Sequence, residues 1–294
     1  MPNVECNGVT IEYEIRGEGE PILFIMGLGG QMIDWPDEFV DMFVDEGYQI
    51  IRFDNRDVGL STKESWTPPS QARSAMAMFT RRALKGVGYT VPDMADDAAS
   101  LLDALGIESA HVVGVSMGGM IAQELTINHP TKVRSLCSVM SHTGDRKNGG
   151  IAFSVLSKIR HFEPGNRETA VDQAVEAFTL ISGDAFDADE YRLRVERSVA
   201  RDYSPAGALR QSAAISGSPD RTGRLLQLDV PTLVVHGLQD PLVKPSGGVA
   251  TAKAVPGARL LMFPDMGHDL PRSRWIEMRD AMLANFRRVG VPVG

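Results

Sequence analysis

Basic charge, cysteine and long apolar runs are all scarce in this chain, and each scarcity removes a class of function. Lys and Arg number 30 against 38 Asp and Glu, a net charge of −8. No basic face is available for a nucleic-acid backbone, so no nucleic-acid partner is expected. No apolar stretch reaches the roughly 18 residues of a membrane span, and no membrane association is expected. The opening Met-Pro-Asn-Val-Glu-Cys lacks the basic-then-apolar order of a secretory leader. Two cysteines, Cys6 and Cys137, fit reduced thiols in a cytoplasmic protein better than a disulfide framework. Paired-cysteine, His-Glu-x-x-His and Gly-x-x-x-x-Gly-Lys patterns are missing. In the dinucleotide-like Gly27-Leu-Gly-Gly, the third fingerprint glycine falls at Met32. Neither a metal nor a cofactor is expected.

What is present is a regular alternation. Apolar strands are expected near 9–15, 21–26, 48–53, 110–115, 133–139, 231–236 and 258–263. Between them lie helix signals. Trp35-Pro36 precedes Phe39, Val40, Phe43 and Val44, and Pro92-Asp93 precedes Met94, Ala98, Leu101, Leu102 and Leu105, both sets at helical spacing. Strand–helix alternation predicts an α/β fold with a mostly parallel, doubly wound sheet. Its functional groups belong at the carboxyl ends of the strands. With 294 residues, 43% of them hydrophobic, the chain has ample material for a buried sheet.

Residues 110–120 carry the sharpest signal. The β-branched Val112-Val113 runs into Gly114-Val-Ser116-Met-Gly118, and an amphipathic helix from Met120 to His129 follows. A strand-to-helix turn this tight excludes a Cβ at Gly114 and Gly118 and exposes the Ser116 hydroxyl at the sheet edge. The helix directs its amino end at the site and favours developing negative charge. Ser116 is the candidate nucleophile, and it needs a base and an orienting acid. Among six histidines, His268 alone lies in a loop after a strand near the chain's end. His111 starts a strand at the wrong edge, and His129 closes a helix. His161 sits in a polar stretch, His236 ends a strand as a structural residue, and His142 follows a strand toward the mouth of the site. Asp240 ends the strand before His268 and is stiffened by Pro241. Its rivals are Asp229 at the opposite strand end, and Asp265 and Asp269 beside the histidine.

Serine, aspartate, histidine in that order resembles the α/β-hydrolases, and the resemblance covers nearly the whole chain. Pro21-Ile-Leu-Phe-Ile-Met-Gly-Leu-Gly-Gly matches the strand and oxyanion loop, with Met26 where most relatives have His. Arg52-Phe-Asp-Asn-Arg-Asp-Val-Gly-Leu-Ser matches the next turn, with Asp57 where Gly is common. Both departures, together with Asp34-Trp-Pro-Asp-Glu-Phe, are similar to aclacinomycin methylesterase-like carboxylesterases and cofactor-free haloperoxidase-like hydrolases. The resemblance implies a carboxylic-ester hydrolase with an oxyanion hole from the backbone N–H groups of Leu28 and Met117. Gly27, Gly29 and Gly30 would allow close approach there. Met26, Met32, Met140, His142 and Met266 are candidate pocket residues, and adaptable methionines favour an apolar, uncharged small-molecule ester.

Residues 142–225 break the alternation. The stretch contains helical patches at Gln173–Ile181 and Tyr191–Arg201 and the apolar residues Phe153, Val155, Leu156, Phe178 and Leu180. It is expected to form a helical cap inserted between core segments 1–141 and 226–294. A second irregular segment, Ser65–Tyr89 with Arg73, Arg81, Arg82 and Lys85, is expected near the same mouth. Three other functions suit the same triad or fold: carbon–carbon bond hydrolysis, perhydrolase or haloperoxidase activity, and a non-catalytic ligand receptor.

Overall fold

The computed structural model describes residues 2–70, 73, 83–155 and 166–290. Eight strands form one sheet: β1 (Asn3–Cys6), β2 (Val9–Arg16), β3 (Glu20–Ile25), β4 (Tyr48–Phe53), β5 (Ala110–Val115), β6 (Val133–Val139), β7 (Thr232–Gly237) and β8 (Arg259–Phe263). Their order is β1-β2-β4-β3-β5-β6-β7-β8. Pairing is parallel from β4 through β8, and only the β1–β2 and β2–β4 pairs are antiparallel. A parallel sheet covered on both faces needs strands apolar throughout, and β5 and β7 are buried at every residue.

The strand period of two splits the core into two layers. Leu23, Ile25, Ile51 and Val112 face one side, under α2 (Val91–Ala104) and α3 (Met117–Asn128). Ile22, Phe24, Ile50 and Val113 face the other, under α1 (Asp37–Val44) and α9 (Trp275–Phe286). Phe24 sits edge-on to Trp35 at 4.7 Å and to Phe43 at 5.5 Å, which locks α1 to the sheet. A capping box at Thr90 and Asp93 fixes the start of α2. Cys6 and Cys137 are free and buried. No helix among the described residues is long and apolar enough to cross a membrane.

Between β6 and β7 lie α4 (Ala170–Thr179), α5 (Ala188–Arg201), α6 (Pro205–Gly217) and the single turn α7 (Thr222–Leu225); α8 (Ser246–Ala254) follows β7. Side chains of α5 and α6 reach back to the loops after β3 and β4. Arg201 Nη1 lies 2.6 Å from Asp54 Oδ2, and Arg210 Nη2 lies 2.7 Å from Asp57 Oδ1. Gln211 receives the Gly29 N–H at 2.8 Å and donates to the Arg56 carbonyl at 2.8 Å. Asp57, in the position where a glycine is usual, holds a left-handed φ of 76°. Its buried carboxylate also accepts from Tyr89 Oη at 2.6 Å. The anchoring partner therefore explains why an acid occupies this turn.

One expectation needs correction. Phe153 is 83% exposed rather than packed, whereas Val155 is buried. Leu156, His161, Arg81 and Arg82 lie outside the described residues. The described part of 65–89 meets the end of α6, where Leu84 N donates to Ser216 O at 3.0 Å; Ser216 lines the cavity, whereas no described residue of 65–89 does.

Candidate active site

Ser116 sits where β5 gives way to α3, with φ 54° and ψ −118°, a region that a non-glycine residue occupies only under constraint. The constraint is visible. Ser116 N–H donates to Val139 O at 2.9 Å, and its carbonyl accepts from Gly119 and Met120, which closes the first helical turn. A Cβ on Gly114 would lie 2.1 Å from Gly118 O, and one on Gly118 would lie 2.1 Å from Ile25 O. Only glycine fits at either position.

His268 follows β8 in a loop. Its Nε2 is 2.9 Å from Ser116 Oγ, and its Nδ1 is 2.8 Å from Asp240 Oδ2. Asp240 follows β7, and its other oxygen accepts the N–H groups of Leu242 at 2.9 Å and Val243 at 2.8 Å. Burial alone would raise this carboxyl. His268, His236 and the Val243 N–H together hold it below the ordinary carboxylate range, so it stays ionised. His236 donates from Nε2 to Val243 O at 2.8 Å and supports the acid's turn from below.

The rival acids are occupied elsewhere. Asp265 pairs with Arg274 at 2.9 Å. Asp269 spends one oxygen on the N–H groups of Gly267 and Gly183, and burial raises its carboxyl. Asp229 is exposed and precedes β7. Two other described histidines are also engaged. His111 bonds Ser135 and Glu20, and His129 bonds Asp96 while capping α3.

The loop after β3 lies against the serine: a Cβ on Gly27 would sit 3.3 Å from Ser116 Cβ. Gly29, at φ 71°, turns the loop, with its N–H on Gln211 and the Gly30 N–H on Gly27 O. Among the hydrogen bonds of the described residues, the N–H groups of Leu28 and Met117 have no protein acceptor. Two unused donors thus lie in the segments that meet at Ser116, one of them at a helix amino end.

A cavity of about 1240 Å³ opens onto Ser116 and His268, with walls from the β3 loop, the segment after β6, and α4 to α6. Met26, Met140 and His142 line it, as does Met120. Met32 and Met266 do not. Both side chains are fully buried in the body of the protein, Met266 packed in the α1–α9 layer, because the local chain turns inward at each. The sequence reading missed the aromatic wall, in which Phe178 stacks on Tyr191 at 4.2 Å with Phe186 beside both.

Comparison with known proteins is consistent with this architecture. The α/β hydrolase fold family matches residues 20–271. Rhodomycin D methylesterase DauP of Streptomyces sp. (strain C5) is 26% identical over 296 residues, covering 92% of each chain. Rhodomycin D methylesterase DnrP of Streptomyces peucetius is 27% identical over 310 residues, covering 96% of this chain and 97% of its own. Among solved structures, a thermophilic esterase from Thermogutta terrifontis superposes with a TM-score of 0.71 at 21% identity. That match covers 97% of this chain and 100% of the esterase, and it speaks for the fold.

Proposed function

The chain belongs to the α/β hydrolase fold family, and from that premise we propose that it is a serine esterase acting on a bulky, uncharged carboxylic ester. The observation that carries this reading is the relay from Asp240 Oδ2 to His268 at 2.8 Å and from His268 to Ser116 Oγ at 2.9 Å. The methylesterase names of DauP and DnrP support ester cleavage as the reaction.

In the proposed cycle, Ser116 Oγ attacks the ester carbonyl while its proton passes to His268 Nε2. Asp240 stabilises the imidazolium through Nδ1–H. The N–H groups of Leu28 and Met117 receive the oxyanion, where each such donor is typically worth about 3 kcal/mol. The tetrahedral intermediate collapses, and the proton on Nε2 goes to the departing alcohol. Water, deprotonated by His268, then splits the acyl-serine to acid and free enzyme. Residues 142–225 act as the cap that encloses the substrate, with Arg201 and Arg210 as its fastenings to the core. A cavity of about 1240 Å³ exceeds the roughly 300–1,000 Å³ of ordinary small-molecule sites, which favours a large acyl or alcohol portion.

Hydrolysis of p-nitrophenyl esters from acetate to decanoate, with Ser116→Ala alongside, tests the proposal. Turnover that falls at least about a thousandfold in the variant is expected. Turnover that survives the substitution would discard the reading.

A further inference from the structure

We propose, on the serine-hydrolase reading above, that His142 is a specificity residue. It presents its Nε2–H donor to the cavity and selects esters that carry a ketone or ether oxygen several bonds along the chain from the scissile group.

The position follows from the sheet. Val139 of β6 is in register with Val115 of β5, and Ser116 N–H bonds Val139 O. Residues 140–142 therefore run on beside the serine, and Met140, His142 and Ser116 all line one cavity. The tautomer follows from one hydrogen bond. Gly144 N–H donates to His142 Nδ1 at 2.9 Å, so Nδ1 is the acceptor and the ring proton resides on Nε2. Burial, reinforced by the Arg221 guanidinium and by His236, lowers the ring's pKa to about 4 against the opposing pull of Asp145 and Asp220. The imidazole is neutral near pH 7, a donor at Nε2 without a charge.

The ring cannot easily turn away. A Cβ on Gly149 would approach His142 Cβ to 2.8 Å, and one on Gly247 to 2.9 Å, so its root is wedged between two backbone segments. Arg221 Nη2 fixes the His142 carbonyl at 2.9 Å. Nε2 has no partner among the described residues and is not among the sealed-off polar atoms, so it is free to meet a ligand in the cavity. A neutral donor in such a wall rewards an uncharged acceptor oxygen on the bound ester. A plain hydrocarbon chain leaves that donor unmatched.

The test uses p-nitrophenyl heptanoate and its 5-oxo and 6-oxo analogues, with wild type, His142→Asn and His142→Gln. Asparagine keeps an acceptor for the Gly144 N–H but cannot reach the Nε2 position. Glutamine restores an amide N–H there. The expected result is a wild-type preference for an oxo ester of about five- to tenfold in kcat/KM, expressed in KM. The preference disappears in His142→Asn and returns in part in His142→Gln, while kcat/KM for heptanoate changes by less than that for the oxo ester. The proposal is overturned by no oxo preference in wild type, by an equal loss on all esters in His142→Asn, or by a lost preference that glutamine fails to restore. If no ester is turned over, the hydrolase reading fails separately. Calorimetric binding of 5- and 6-oxoheptanoate methyl esters against methyl heptanoate then reads the same discrimination without catalysis.

Discussion

Asp240 shows how much a single side chain decides here. Its Oδ1 is held by two backbone N–H groups, so only Oδ2 faces His268 Nδ1. In Asp240→Asn the same two donors pin the amide oxygen, and the NH₂ group must then face Nδ1. The histidine responds by making Nδ1 an acceptor and carrying its proton on Nε2, the tautomer that cannot accept from Ser116. A loss in kcat of about 10⁴-fold is expected on p-nitrophenyl esters near pH 7, as for the equivalent change in a serine protease. Fluorophosphonate labelling of Ser116 should slow in parallel; a kcat within tenfold of wild type would remove Asp240 from the relay. The three residues were identifiable in the sequence because each follows an apolar strand. Their order and strand ends place them at one edge before any coordinate is known. Met32 and Met266 were not, since proximity to a loop in sequence does not say which way a side chain turns.

At the scale of elements, strands and amphipathic helices announce themselves by period, and anchoring does not. The seven expected strands all occur, whereas β1, four residues at the sheet edge, is too short to show a pattern. Helix α6 escaped because its Ala, Gly, Ser and Arg residues make no large apolar stripe. Its hold on the core instead depends on Arg210 meeting Asp57 across 153 positions of sequence, a pairing that periodicity cannot reveal. Both side chains are buried there, at 8% and 0% exposure. Removing one leaves the other charge without compensation, which typically costs about 3–5 kcal/mol. Arg210→Met should lower the unfolding free energy in urea by that amount. The double variant Asp57→Asn/Arg210→Met should recover part of it, because no bare carboxylate remains. Additive losses in the double variant would mean that the two side chains act independently.

For the whole molecule, two neutral histidines at opposite ends of the sheet contribute to the acid side of stability. His111, at the amino end of β5, is stacked on Phe286 at 4.3 Å, and burial lowers its pKa from 6.5 to about 4 against the attraction of Glu20. His142, beyond the carboxyl end of β6, is lowered to about 4 as well. Between these values and 6.5 the unfolded chain binds a proton at each site that the folded chain refuses. Stability therefore falls as pH drops through that window, by about 1.4 kcal/mol per pH unit per histidine. The raised carboxyls of Asp34, Asp97 and Asp269 act in the opposite sense, because the folded state takes up their protons first. A difference measurement isolates the histidine. Urea unfolding of wild type and His111→Gln at pH 7.5, 6 and 5 should give curves that converge on acidification. The wild type should lose about 1.4 kcal/mol more per unit below pH 6.5 than the variant. Parallel curves would mean that His111 takes up its proton as readily in the folded protein as in the unfolded chain.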